Sequence, residues 1–203
     1  IQLRSGDHAG AIETANAALR ASLSERGQAR LYNLLGIALG ETNELEAAIT
    51  AFEAELERWE ALDLASFIAT SHANLAEACL RAHRDVECAQ HQLAALDLGR
   101  ALGRSALEPF TMLVAAQLAL RCGDPARAIR LQTAAEHALA ETGYELYEDD
   151  IKAKDDLFSA ASVHLCADEI DAAVDAGAHA SAETATAEAR QVLEDIIQGV
   201  EAR

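Results

Sequence analysis

The sequence predicts an all-α protein built from helical hairpins that repeat about every 40 residues. Composition is the first reason: 51% of the 203 residues are apolar, 4% are aromatic, and there are two prolines. This mixture favours close-packed helices over strands, which prefer aromatic and β-branched residues. Internal similarity is the second: LRSGDHAGAI at 3–12 returns as LRCGDPARAI at 120–129, identical at seven of ten positions. A helical repeat array is therefore expected.

Two series of turn residues, spaced about 40 positions apart, define the repeat. The first series is predicted to begin the second helix of each hairpin, at spacings of 37, 40 and 40 residues, and comprises Gly6, Asn43, His83 and Gly123. The second is predicted to end that helix in a left-handed residue and comprises Asp63, Gly103 and Gly143. These series divide the chain into a half repeat, 1–27, three repeats, 28–63, 64–103 and 104–143, and a helical capping segment, 144–203.

The clearest repeat has a recognisable motif. It contains Tyr32-x2-Leu35-Gly36-x2-Leu39 and then Ala48-x3-Phe52, which resembles the tetratricopeptide (TPR) pattern W-x2-L-G-x2-Y…A-x3-F. The resemblance implies an antiparallel helix-hairpin solenoid coiled into a right-handed superhelix. The period of about 40 residues rather than 34 and the lack of a closing proline depart from that family.

The segment after Gly143 loses the repeat. Apolar residues at helical spacing predict one long helix from Tyr144 to about Cys166, with a solvated acidic face. A short helix is predicted to open at Asp168 and stop near Gly177, and a last helix to begin at Ser181.

Two strings in the second half carry a further resemblance. ARAIRLQTAAE at 126–136 and DAGAHASAETATAEA at 175–189 are similar to the end of the helical-repeat region of large ATP-dependent bacterial transcription regulators, of the LuxR-type or related signal-transduction ATPase class. The matching residues are Arg130, Leu131, Ala134, Ala135, Glu136, Gly177, Ser181, Glu183 and Ala185. The aromatic residue usual shortly before the glycine is absent, since Val174 and Asp175 stand there.

That resemblance implies a role within a larger protein. In such regulators the nucleotide site lies in an upstream ATPase domain, a DNA-binding helix-turn-helix lies at one end, and the repeats sense an inducer or a partner protein. This chain has no G-x-x-x-x-G-K-[ST] loop, so nucleotide binding is not carried onto it. Because the chain begins within a repeat, at Ile1, it is expected to be a piece of a longer polypeptide.

Charge and motifs narrow the expected functions. A formal net charge of −18 argues against nucleic-acid binding, which needs a basic face. Neither a membrane-spanning run nor a signal pattern is present, so a cytoplasmic location is expected. Zinc in proteins is bound by cysteine and histidine side chains, which occur here at Cys79, His83, Cys88 and His91. Their positions in the repeat favour roles in packing and in a turn instead. No metal, cofactor or enzymatic activity is predicted.

A binding groove is the positive hypothesis. In TPR arrays the first helix of each hairpin lines the concave surface, so alignment to the repeat predicts Arg30, Asn33, Ile37, Thr70, Ala73, Glu77, Phe110, Leu113 and Gln117 as lining residues. Arg81 and Arg121, with Arg4 in the same phase, either stabilise helix C-termini or form a row that recognises an acidic ligand.

The predicted partners follow from this groove. They are a protein or peptide, a small inducer, other domains of the same polypeptide, or a second copy that forms a homodimer. The predicted function is a non-catalytic interaction or effector-sensing domain of a larger transcription regulator. The alternative is a general scaffold or assembly module unrelated to transcription.

Overall fold

A computed structural model describes residues 7–21, 24–144 and 147–201. Within these ranges the chain forms ten α-helices and one 3-10 turn, and it contains no strand. The all-α prediction is therefore confirmed. Arg4 and the predicted turn residue Gly6 lie outside the described residues.

The helices divide between two compact units, one that ends at Gly103 and one that begins at Arg104. The first unit contains α1 (His8–Leu19), α2 (Glu25–Glu41), α3 (Leu45–Ala61), α4 (Ala65–Arg81) and α5 (Asp85–Ala101). The second contains a 3-10 turn (Ser105–Leu107), α6 (Glu108–Arg121), α7 (Pro125–Glu141), α8 (Glu148–Ala161), α9 (Ala167–His179) and α10 (Ala182–Glu201). None of the described helices combines the length and apolar character needed to cross a membrane.

Left-handed residues recur every 20 positions along the chain. Positive φ angles occur at Asn43, Asp63, His83, Gly103, Gly123 and Gly143, the six predicted turn and stop residues that the structure describes. After α2, the Asn43 N–H donates to the carbonyl of Gly40 (2.9 Å) and the Glu44 N–H to that of Leu39 (2.8 Å). This pair of bonds is the Schellman motif, which satisfies carbonyls left free at a helix end.

His83 makes this turn in the left-handed conformation at a steric cost. Its φ is 57° and its side chain is exposed, and a residue with a Cβ pays about 1–2 kcal/mol there. His83→Gly removes this steric cost, but glycine also increases the backbone entropy of the unfolded chain, which offsets part of the gain. The net expectation is a rise of about 0.5–1 kcal/mol in the free energy of unfolding, measured by urea titration. Gly123→His, the reverse change at the corresponding turn, should lower it. A destabilised His83→Gly variant would contradict this account.

Small and large residues interlock where the two helices of a hairpin meet. A Cβ built on Gly36 would lie 2.5 Å from Cε1 of Phe52, so α2 and α3 approach closely because position 36 has no side chain. Ala48 is fully buried beside them. The corresponding residues of the next two hairpins are also buried: Leu75, Ala76, Cys79 and Cys88, and Ala115, Ala116, Ala119 and Ala128. The predicted packing positions are confirmed.

The predicted long helix from Tyr144 to Cys166 is wrong. Helix α8 begins at Glu148 and ends at Ala161. At its start the Tyr147 backbone N–H donates to Oδ2 of Asp150 (3.0 Å), so this carboxylate fixes a helix start. At its end the Ser162 hydroxyl donates to the carbonyl of Ser159 (2.7 Å), and such local bonds compete with the helix.

The last two helices start close to their predicted residues. Helix α9 begins at Ala167 rather than Asp168 and continues past Gly177 to His179. Helix α10 follows Ser181, whose hydroxyl oxygen accepts from the Thr184 N–H (3.1 Å), the expected role of a serine at an N-cap. Within the second unit α9 packs on α7, and α10 packs on α6 and α7.

Candidate functional site

A small pocket opens in the first unit between α2, α3 and α4. Its volume is about 130 Å³. Helix α2 contributes Gly36, Ile37, Gly40 and Glu41; α3 contributes Leu45 and Phe52; and α4 contributes Asn74, Glu77, Ala78 and Arg81. The pocket is apolar toward α3 and polar where α2 and α4 end.

Two glycines of α2 line the pocket, and their surroundings differ. Gly36 is required by packing, because a Cβ there would collide with the Phe52 ring. A Cβ on Gly40 would instead meet Nη1 of Arg81 at 3.6 Å, an ordinary van der Waals contact. Gly40 is buried in the last turn of α2, where glycine costs less than the roughly 1 kcal/mol, relative to alanine, of a helix interior. Helix packing does not require this glycine, and its missing side chain leaves space in the pocket.

Polar groups surround the pocket. Arg81, the last residue of α4, donates from Nη2 to the carbonyl of Gly40 (2.8 Å). A guanidinium at the C-terminal end of α2 is favoured by the partial negative charge of that helix end. Glu41 and Glu77 are exposed, and Asn74 is half-buried. An occupant would meet two carboxylates, an amide and one anchored guanidinium.

The structure brings three predicted residues, Ile37, Glu77 and Arg81, to this pocket. Four others lie on the same two helices. Arg30 and Thr70 are exposed, whereas Ala73 is half-buried. Asn33 points inward, since its Nδ2 donates to Oε2 of Glu55 (3.1 Å).

The remaining predicted residues lie on α6 in the second unit. Phe110 and Tyr144 make an edge-to-face contact with ring centroids 5.6 Å apart. Gln117 donates from Nε2 to the carbonyl of Ala153 on α8 (3.5 Å). Leu113 is half-buried, and Arg121 is exposed at the end of α6. This part of the predicted surface is therefore partly covered by the chain that follows α7.

Glu55, a carboxylate that the sequence analysis missed, is buried at 3% exposure. It accepts from Nε1 of Trp59 (3.0 Å) and from the Asn33 amide (3.1 Å). Burial raises the pKa of Glu55, and hydrogen bonds to its carboxylate oppose that rise. Glu55 thus ties α2 to α3 beneath the α2 surface.

Two histidines meet in the α4–α5 hairpin. The Nδ1 atoms of His72 and His91 lie 3.0 Å apart, a separation that requires one ring to donate and the other to accept. Burial lowers the pKa of both imidazoles, and the neighbouring ring lowers that of His72 further. Glu60 acts in the opposite direction on His72.

The four residues with zinc-ligand types do not converge. Cys79 and Cys88 are buried, His83 is exposed on its turn, and His91 faces His72. Burial raises the pKa of the Cys79 thiol to about 11, which disfavours the thiolate that binds metals. Across the described ranges, no three histidine, cysteine, aspartate or glutamate residues cluster as metal ligands would.

The lowered histidine pKa values predict a loss of stability in mild acid. The neutral pair contributes fully to the free energy of unfolding above the ordinary histidine pKa of about 6.5. This contribution is lost as the pH falls below 6.5 and through the lowered pKa values that the two histidines have in the folded protein. In urea titrations at pH 7 and pH 5, the double variant His72→Gln/His91→Gln should lose less stability than the wild type. Gln90→Ala, an exposed change on α5 that alters no titratable group, should keep the wild-type pH dependence. An unchanged pH dependence in the double variant would contradict the prediction.

The missed pocket residues on α2 and α4 lie one helical turn from predicted ones. Gly40 and Glu41 follow Ile37 by three and four positions, and Asn74 and Ala78 precede Glu77 and Arg81 by three. Residues at these separations share a helix face. Extending the predicted set along α2 and α4 would have found them, but not Leu45 and Phe52, which lie on α3.

The residues that resemble the transcription regulators have packing roles. Arg130 on α7 pairs with Glu188 on α10, with Nε and Oε1 3.2 Å apart. Gly177 lets α9 contact the backbone of α7 at the carbonyl of Arg130. Ser181 caps α10, and Ala185 is buried. The two strings therefore encode how α9 and α10 pack on α7.

Comparisons with known proteins identify no family for this chain. No protein-family model matches the chain, and no curated protein sequence matches it.

Proposed function

We propose that this chain is a non-catalytic interaction domain that binds a segment of a partner protein on the surface formed by α2 and α4. The pocket is the observation that carries the proposal. It joins an apolar interior to polar groups, as sites that anchor one side chain and orient its neighbours do. Its lining includes Ile37 and Glu77, which alignment to the repeat predicts, and Arg81, which belongs to the predicted arginine row.

The repeated hairpin supports an interaction role. The turns after α2, α3, α4, α6 and α7 each have a left-handed residue at the same position and form the same pair of backbone hydrogen bonds. Arrays of such units expose long helix surfaces that suit extended ligands, as TPR-like solenoids do. We infer a TPR-like arrangement of these hairpins.

We further propose that the domain belongs to a larger signal-responsive transcription regulator. The support is the resemblance of 126–136 and 175–189 to the end of the repeat region of LuxR-type and related ATPases. In such a protein, a partner or inducer bound to the repeats would control the remaining domains.

A general scaffold is the second candidate, and one observation favours it. Arg130, Gly177 and Ser181 have roles in packing and capping within the second unit. Any helical-repeat protein with the same terminal packing would need these residues, whatever its biological process. The resemblance therefore supports the architecture more directly than it supports transcription.

The reading frame that encodes this chain tests the two candidates. The regulator proposal predicts a G-x-x-x-x-G-K-[ST] loop upstream of this segment and a helix-turn-helix at one end of the protein. Purified full-length protein should then bind ATP and a DNA fragment from its own promoter region. A reading frame that lacks both elements would contradict the regulator proposal and favour the scaffold.

A further inference from the structure

We propose that the pocket between α2 and α4 takes one aliphatic side chain, of leucine or methionine size, from a basic segment of a partner protein. The inference rests on the interaction role proposed above and names the chemistry of the partner. It follows from the size of the pocket, the charges around it and the glycine at position 40.

The size of the pocket selects a single side chain. Its volume of about 130 Å³ is close to that of an engineered protein cavity of about 150 Å³ that holds one benzene molecule. Phe52 and Ala78 supply apolar surface inside it. A leucine or methionine side chain fits this space, whereas an alanine methyl group would leave most of it empty.

The charges around the pocket select a basic segment. Glu41 and Glu77 lie on either side of it, so two carboxylates face the one guanidinium of Arg81, which keeps its positive charge while it donates to the carbonyl of Gly40. Residues 1–103 carry 15 acidic and 8 basic side chains. A partner segment with lysine or arginine beside its aliphatic residue complements this negative charge. A second copy of the chain, with its net charge of −18, would be repelled.

Gly40 keeps part of the pocket open. It is the penultimate residue of α2, so alanine there favours the helix by less than the roughly 1 kcal/mol found in a helix interior. A methyl group at Gly40 would meet only Nη1 of Arg81, at 3.6 Å. Packing therefore tolerates a methyl group at this position, and glycine leaves that space to a ligand.

Three capped peptides test the proposal by titration of the 15N-labelled 203-residue chain to about 5 mM, a range that detects millimolar dissociation constants. They are KKLKK, KKAKK with alanine at the centre, and EELEE with the charges reversed. KKLKK should shift the amide resonances of Gly40 and Ala78. It should bind about tenfold more tightly than KKAKK because it buries more apolar surface.

The Gly40→Ala variant separates a binding role from a structural one. It should weaken KKLKK binding by about tenfold without lowering Tm, because the methyl group occupies the pocket but favours the helix. Gly199→Ala is the matched control: Gly199 is a helical glycine with no atom within 4 Å of a built Cβ. This control should leave KKLKK binding unchanged.

Several outcomes would overturn the proposal. Equal binding of KKLKK and KKAKK, unchanged binding of KKLKK to Gly40→Ala, or no shift with any peptide would contradict the aliphatic anchor. Tighter binding of EELEE at the same resonances would contradict the basic partner and leave the interaction role standing. The regulator role is tested separately, by the reading frame that encodes this chain, and the result of the peptide titrations does not affect it.

Discussion

Gly177→Ala is expected to lower the free energy of unfolding by about 3 kcal/mol, the largest effect of any glycine substitution considered for this chain. A Cβ at this position would overlap the carbonyl oxygen of Arg130 and lie 2.9 Å from Cβ of Thr133. Both atoms belong to α7, and a backbone carbonyl within a helix cannot turn away as a flexible side chain can. Relief would require α9 to move off α7, which exposes their shared apolar surface.

Urea unfolding followed by circular dichroism measures this effect. Gly199→Ala, which adds the same methyl group to α10 in open space, should be neutral or slightly stabilising. A loss of less than about 1 kcal/mol in Gly177→Ala would contradict the account and show that α9 adjusts its position at little cost.

Glu55→Ala is expected to cost about 3–5 kcal/mol, because it creates a cavity and removes the acceptor of two inward-facing donors. The Trp59 indole N–H and the Asn33 amide both donate to this carboxylate. Trp59 is 1% exposed, so its N–H would lose its acceptor inside the core. Glu53→Ala, an exposed change on the same helix, should alter stability by less than about 0.5 kcal/mol.

Glu55→Gln separates the charge of this side chain from its hydrogen bonds. The amide keeps an acceptor for Trp59, and a flipped Asn33 amide can accept from it. Because burial raises the pKa of Glu55, the stability linked to its protonation is full at low pH and is lost as the pH rises through the raised value. The wild type should therefore gain stability relative to Glu55→Gln as the pH falls from 7 to about 4, near the ordinary glutamate pKa. A difference that stays constant between these pH values would contradict the raised pKa.

The repeat could be predicted because its turns depend on local residue types. Left-handed backbone favours glycine, asparagine and aspartate, so the spacing of Asn43, Asp63 and the three later glycines was visible without tertiary contacts. Once those turns were fixed, the 17-residue helices between them followed.

The prediction of one long helix from Tyr144 was wrong because single hydrogen bonds determine where the helix begins and ends. The apolar spacing of this segment is helical, but Asp150 and Ser162 bond to nearby backbone groups at the two ends. Periodicity reports which face of a helix is buried and says little about where a short polar contact ends it.

The candidate site was predicted only in part, for a physical reason. Alignment to the repeat predicted Ile37 and Glu77, the arginine row included Arg81, and all three line the pocket. The inward turn of Asn33, the burial of Glu55 and the contact between His72 and His91 depend on how neighbouring helices meet. Such contacts join residues distant in sequence, and a repeat pattern does not encode them.

If the pocket between α2 and α4 binds an aliphatic side chain of a basic partner segment, the leucine of a bound KKLKK peptide lies against the residues that line it. Isotope-filtered NOE spectroscopy of the labelled chain with the unlabelled peptide detects such contacts. We expect NOEs from the leucine methyl groups to the methyl group of Ala78 and to the ring of Phe52, both of which line the pocket. Leucine contacts confined to other surfaces of the chain, with none to Ala78 or Phe52, would contradict it.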